Sequence, residues 1–360
     1  MAEKKKLGPK RVVYLWGAGA TQAEAHRLGA PISLLMRDTE QFETGVATRI
    51  LNRLGSRVAS SYGSDDGVDI EKLISLLSAC GSGSHIKLAE RMRLAYFAEL
   101  RSSLAKAGVL DSPYLARRLL QMQNEQHFKQ EVEALSGFIT TNHDGLLQVA
   151  SQEVFRRVNV GFEFTSSDFT CDVSAATPPI LQLHGSFTWE FGNPIAIKKL
   201  RSRSPYGDTV WIPPTILKES KSYPFNKLTG QAYELLTKAC DVLRVVGASL
   251  TQNDWNILSL IFNAQRHKEA NGESPFNIEL IMPQSAGDYI KRECAYLRNV
   301  RTIGHLTEGK FTDYIESEFG FDSDLANPFA YWLNEKIEYH RQRDELSSAP
   351  SAALAEGVSL

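Results

Sequence analysis

The stretch VVYLWGAGATQ, Val12–Gln22, decides the fold. Five apolar residues run together without polar alternation, which is the pattern of a short strand covered on both faces. Gly17 and Gly19 then turn the chain into a run of helix-compatible residues. Strand, glycine turn and helix in that order open a doubly wound α/β domain. Such glycines permit a tight turn and let the backbone approach a diphosphate at the positive end of the helix. Gln22 stands where the third glycine of G-x-G-x-x-G belongs, so a plain strand-to-helix turn is the alternative reading.

Outward from this unit, strand-like runs recur. They are LSGFITT (Leu135–Thr141), RVNVGFEF (Arg157–Phe164), PILQLHG (Pro179–Gly185), DVLRVVGAS (Asp241–Ser249), NIELIM (Asn277–Met282) and NVRTIG (Asn299–Gly304). The helical stretches LTGQAYELLTKAC, DWNILSLIFNAQRHKEA and AGDYIKRECAYLR lie between later members. This alternation predicts a parallel, Rossmann-like sheet. Between about 65 and 130 the pattern is helical instead. Leu88, Met92, Tyr96, Leu100 and Leu104 recur every four residues, Gly108 sits at a C-cap, and Gly81–Ser84 make a turn. This stretch is expected to be a helical module inserted beside the sheet.

The composition of the 360 residues sets bounds. With 42% hydrophobic and 23% charged residues and a net charge of −2, the chain has no global basic field for nucleic acid. The basic start MAEKKKLGPKR reads as a solvated arm. No apolar run approaches the ~18 residues of a membrane helix, and no signal-type segment follows the basic start, so the cytoplasm is expected. Cys80, Cys171, Cys240 and Cys294 form no C-x-x-C pair, which argues against a zinc ribbon and a disulfide framework. They are expected to be four buried free thiols. A helical segment is expected over 321–345, and the ending SSAPSAALAEGVSL should be disordered.

Several strand ends carry polar residues. ITTNHDGLL (Ile139–Leu147) crowds Asn142, His143 and Asp144 before a helix start; LQLHGSFTW holds His184, and VVGASLTQND holds Gly247, Ser249 and Asp254. Asn and Asp there could cap a helix, but the ends of parallel strands also converge on a ligand crevice. Two confounders stand beside this. Asp38, 21 positions after Gly17, occupies the place of a dehydrogenase's ribose-binding acid. GHLTEGKFT (Gly304–Thr312) nearly matches a P-loop, with Phe311 where the magnesium-binding hydroxyl is required.

Taken in order, Gly17-Ala18-Gly19-Ala20-Thr21, Gly29-Ala30-Pro31, Thr141-Asn142-His143-Asp144, His184-Gly185, Pro213-Pro214-Thr215 and Gly247-Ala248-Ser249-Leu250 resemble the sirtuin signatures. The likeness is greatest to the sirtuin-like branch of bacterial anti-phage proteins, and it spans about Val12 to Ile303. The resemblance implies one sirtuin-like NAD-binding domain over 11–320, without the zinc-binding cysteine pairs of the deacetylases. It implies NAD as substrate, no metal, and hydrolysis of the nicotinamide–ribose bond to ADP-ribose and nicotinamide. By the same resemblance His184 is the base, Asn142 orients ribose or water, and Asp144 holds the nicotinamide amide or braces its loop. Gly17, Ala18, Gly19 and Thr21 would cradle the diphosphate, while Gly247 and Ser249 would meet the adenosine side. The branch also implies a homo-oligomer and a separate defence partner, such as a ring translocase ATPase or an Argonaute-like subunit. The alternatives are an NAD(P)-dependent oxidoreductase using Asp38, and a non-catalytic subunit that senses NAD or ADP-ribose.

Overall fold

The computed structural model describes residues 8–28, 46–63, 68–111, 113–124, 133–174, 176–198, 208–213, 221–250, 254–282, 284–303 and 328–348. Its centre is strand β1 (Lys10–Trp16). Alternate side chains of β1 part to opposite faces, Val12, Tyr14 and Trp16 into one core and Val13 and Leu15 into another. Both faces are therefore covered, which is why the run is apolar without interruption. Around it stand β2 (Glu133–Thr140), β4 (Ile180–Gln182), β8 (Val242–Val246), β9 (Asn277–Ile281) and β10 (Val300–Ile303). All pair in parallel, in the order β4-β2-β1-β8-β9-β10. The chain builds outward from β1 to β4, then crosses back to lay β8 on the other flank of β1. This is a doubly wound, Rossmann-like sheet, and its topological switch point lies between β1 and β8.

Helices cover both faces. On the Tyr14 side lie α1 (Ala18–Arg27), α6 (Tyr114–Asn124), α7 (Leu146–Phe155) and α11 (Pro328–Ser348). The helical module packs there too, as α2 (Val46–Leu54), α3 (Ser56–Tyr62), α4 (Ile70–Ala79) and α5 (Gly83–Ala107). On the Leu15 side lie α8 (Phe225–Lys238), α9 (Trp255–Ala270) and α10 (Gln284–Glu293). The stripe on α5 faces the core as its spacing predicts, with Met92, Tyr96, Leu100 and Leu104 buried, and Gly108 ends the helix in the left-handed region at φ 66°. Gly81 and Ser82 make the turn before α5, while Gly83 is already helical. The helices packed on this face also include α2 and α3, which precede position 65.

Three expectations need correction. RVNVGFEF is not a strand of the main sheet. Asn159 Oδ1 accepts the Gly161 N–H at 2.9 Å, and Gly161 takes φ 81°, so an Asn-turn breaks the run. Only Phe164–Thr165 becomes β3, in a small second sheet with β5 (Gly185–Glu190), β6 (Ile195–Ile197) and β7 (Thr209–Trp211), ordered β3-β6-β5-β7. PILQLHG is likewise not one strand, because Gly185 at φ 71° reverses the chain and starts β5. A Cβ on Gly185 would stand 2.3 Å from the Val210 carbonyl oxygen. Finally, all four cysteines are free, but only Cys240 and Cys294 are buried; Cys80 is exposed and Cys171 half-buried. The arm at 1–7, Gly29-Ala30-Pro31, Asp38, Pro214-Thr215, the near P-loop and the tail beyond 348 lie outside the described residues. Among the described residues no helix is long and apolar enough to cross a membrane, and no His/Cys/Asp/Glu group is arranged to hold a metal ion.

Helix α1 is fixed to α6 through a carboxyl group. Glu24 is fully buried, and its Oε1 accepts the Ala116 N–H at 2.7 Å, capping the open start of α6. Its other oxygen has no hydrogen-bond partner among the described residues. Burial pushes the carboxyl up to about 7, against the pull of the α6 amides and Arg27. The folded state therefore holds this proton more tightly than the unfolded chain does. That contribution is complete below the ordinary carboxyl value of 4.5 and is lost as pH rises through about 7. Glu24→Gln keeps an acceptor for Ala116 but cannot ionise. The variant should gain about 3 kcal/mol over the parent at pH 8 and nothing at pH 4.5, read from urea unfolding at both values. An equal difference at the two values would refute the assignment.

Candidate functional site

The register of the sheet fixes where the loops leave it. Trp16 pairs with Thr140 on one side and Val246 on the other, and Thr140 pairs with Gln182. The ends of β1, β2, β4 and β8 are thus level. The chain segments that follow them, beginning at Gly17, Thr141, Leu183 and Gly247, emerge from one edge at the switch point.

Two of these turns are packed to contact. Gly17 N–H donates to the Val246 carbonyl at 2.9 Å and Gly19 N–H to the Gly247 carbonyl at 2.8 Å. A Cβ on Gly17 would stand 2.4 Å from Ala248 Cα, and one on Gly247, where φ is 62°, 2.1 Å from Ala20 N. These glycines are required by the approach of the two loops themselves. Ala20 N–H is also used, by the Gly17 carbonyl at 3.1 Å. Ala18 N–H makes none of these bonds, and Ala18 and Gly19 are half-exposed at the start of α1. Ser249 is exposed, and Leu250, buried, is held at φ 48°. A left-handed leucine costs of order 1–3 kcal/mol, a strain of the kind that collects at functional loops.

Asn142 reaches across to the first turn. Its Nδ2 donates to the Gly17 carbonyl at 3.0 Å and to Thr21 Oγ1 at 3.1 Å. Thr21 passes its own proton to Asp144 Oδ2 at 2.8 Å. Asp144 Oδ1 meanwhile accepts the Leu146 N–H at 3.1 Å, at the start of α7. The capping and the site readings of this cluster are therefore both realised, each by one carboxylate oxygen. Burial raises the Asp144 carboxyl, and the hydrogen bonds from the Leu146 amide and the Thr21 hydroxyl oppose that rise. Thr21, expected at a diphosphate, has its hydroxyl engaged between Asn142 and Asp144.

The third loop is joined through Gln182. Its Nε2 donates to the carbonyls of Asn142 and Asp144, at 3.0 and 2.7 Å. His184, two residues on, is 5% exposed. Its carbonyl accepts the Ile212 N–H at 2.8 Å, and its ring lies 6.2 Å from the His143 ring, centroid to centroid. His143 stands in an aromatic wall, 5.1 Å from Phe187 and 5.2 Å from Trp211, with Tyr96 of α5 stacked on Trp211 at 6.1 Å. The helical module thus contributes directly to the surroundings of this edge. His143 and Gln182 were given no role by the sequence reading. A polar Gln inside the apolar run ILQL is the signal that could have singled out Gln182, since a buried amide needs partners.

Fold and site together define a Rossmann-like α/β protein whose polar strand-end residues meet at the switch point. No protein-family model and no curated protein matches the sequence.

Proposed function

We propose that this site binds NAD and hydrolyses its nicotinamide–ribose bond. The observation that carries the reading is the hydrogen-bonded convergence of four strand ends, with Asn142 and Thr21 joining the Gly17 turn to Asp144. In a doubly wound sheet that position is where nucleotides bind. The start of α1 favours the diphosphate charge at Ala18 and Gly19, and Ser249 is open to the adenosine side.

The chemistry asks little of the protein. Nicotinamide leaves as a neutral pyridine and takes the bonding pair, so no general acid is needed, unlike the paired carboxylates of sugar hydrolases. Water adds at the ribose carbon, and its proton passes to His184, giving ADP-ribose, nicotinamide and one released proton. Both amide hydrogens of Asn142 are bonded to Gly17 and Thr21, so its Oδ1 is the atom that orients ribose or water. Asp144 braces the turn through Thr21 and Leu146.

The low exposure of Asn142 (9%), Asp144 (6%) and His184 (5%) favours a second reading, in which the lone chain binds NAD or ADP-ribose without turnover. The two readings join if the chain rests closed until a separate defence partner, or self-association, opens it in the cytoplasm. The deciding experiment measures free nicotinamide and ADP-ribose in cells expressing the protein with its genomic neighbours, with and without phage challenge. Release of both products supports hydrolysis. Calorimetric NAD binding without release supports the sensor, and appearance of reduced nicotinamide would overturn both.

A further inference from the structure

A cavity of about 210 Å³ lies between α5, α7 and the second sheet. Leu104, Leu110, Val149 and Phe169 supply its apolar wall, and Gln148 and Thr188 its polar part. Drug-sized sites run ~300–1,000 Å³, so the space suits a single small ring system.

The polarity of the polar part can be worked out from the network. Gln182 spends both amide hydrogens on the Asn142 and Asp144 carbonyls, so its Oε1 must accept. Gln148 Nε2 is the donor to that oxygen. The orientation of the Gln148 amide is thereby fixed, with Oε1 on the other side. Gln148 is 1% exposed, and this Oε1 has no hydrogen-bond partner among the described residues. Thr188 is set in a similar way. Ser186 gives its proton to the His143 carbonyl at 2.9 Å, so Thr188 Oγ1 donates to Ser186 Oγ, also at 2.9 Å, and keeps its lone pairs. Both oxygens lie 3.8 Å from the point where a Cβ on Gly145 would stand. Two acceptors thus lie together beside Gly145, a residue that lines the cavity. A buried acceptor left unmet costs free energy, and a donor brought by an occupant removes that cost. Rim charges are committed elsewhere, Lys198 to Glu190 and Glu153 to Arg117, while Asp111 has an interaction of its own.

We propose that this cavity is a binding site for a small, flat, largely apolar molecule bearing an N–H donor, such as a bicyclic heteroaromatic. Its donor meets Gln148 Oε1 and Thr188 Oγ1. The occupant bears on the Asn142–Gly145 turn through Gln148 and Gln182, whatever chemistry that turn performs.

Indole and indene, which share a shape but differ in the N–H, are the probes. Titration of the full chain by ligand-observed NMR should give saturable indole binding, roughly tenfold tighter than indene, the worth of one hydrogen bond. Ala105→Trp, placed at an exposed position of α5 that lines the cavity, should abolish binding of both. Gln148→Met should bring the two probes to similar affinity. Indole should also slow hydrogen exchange at residues 142–146. Absence of saturable indole binding, or binding unchanged in Ala105→Trp, overturns the site. Equal affinity of indole and indene for the parent protein overturns the donor assignment, and unchanged exchange overturns the coupling to the turn.

Discussion

His184→Ala is expected to lower the proposed NAD hydrolysis by ~10²–10⁴-fold, the usual worth of a general base, while leaving the fold intact. The backbone around it is held without the ring. The Leu183 N–H donates to the Thr140 carbonyl at 2.9 Å, and the His184 carbonyl accepts from Ile212. Truncation therefore removes the imidazole and its contact with the His143 ring while these backbone bonds remain, and added imidazole should restore part of the rate. Asn142→Ala should be equally damaging but needs a control, because it also cuts the ties to Gly17 and Thr21. Thr21→Val supplies it: the link to Asp144 is lost while the Asn142 carboxamide stays. If Asn142 acts only as a brace, the two variants should lose similar activity. If its oxygen orients ribose or water, Asn142→Ala should fall at least tenfold further. Free nicotinamide, measured under activating conditions with folding checked by circular dichroism, reads all three. Full activity in His184→Ala would remove this residue from the mechanism.

The sheet was readable in the sequence because parallel strands buried on both faces announce themselves as uninterrupted apolar runs. β1 is such a run, and β2, β8, β9 and β10 fall on the expected stretches although Arg244 interrupts β8, Glu279 β9 and Arg301 β10. The stripe on α5 was equally plain, since a four-residue repeat sustained from Leu88 to Leu104 is longer than an ordinary strand. RVNVGFEF misled for a physical reason. Its apolar residues are buried as in a strand, but the bond from Gly161 to the Asn159 side chain turns the backbone between them. That bond is local and could have been suspected from Asn-x-Gly. The site was legible as strand-end polar residues, whereas its wiring was not. Thr21 lies more than a hundred positions from Asn142 and Asp144, and only the register of β1 against β2 brings it to them. The aromatic wall from Tyr96 to Trp211 was likewise hidden, because the spacing on α5 says which side is buried and not against what.

A lone arginine inside the apolar run DVLRVV was the clearest unread signal. Arg244, 3% exposed, donates to Glu133 at 2.6 and 2.8 Å, to Glu279 at 2.8 Å and to the Tyr14 hydroxyl at 3.1 Å. Its guanidinium also lies 5.2 Å from the Trp332 ring of α11, and Lys336 of the same helix reaches Glu133 at 2.9 Å. The cluster thus fastens the C-terminal helix to the strand that leads into Gly247. Arg244→Met should cost about 3–5 kcal/mol, because it leaves two buried carboxylates facing Tyr14 with their principal cation gone. The pH dependence should invert as well. In the parent, burial pushes Glu133 up, but Arg244 and Lys336 overcome it and hold the carboxyl at about 2. That stability is present above the ordinary value of 4.5 and is lost as pH falls toward about 2. Without Arg244 the burial effect prevails, the carboxyls prefer to be protonated, and the deficit of the variant should be larger at pH 8 than at pH 5. Adding Glu133→Gln and Glu279→Gln should recover much of the loss, since well-packed neutral groups can replace a buried ion cluster. Urea unfolding at the two pH values measures this, with hydrogen exchange of residues 328–348 reporting release of α11. A loss under about 1 kcal/mol, or one equal at both pH values, would mean that Arg244 does not fasten the helix, which its other contacts then hold.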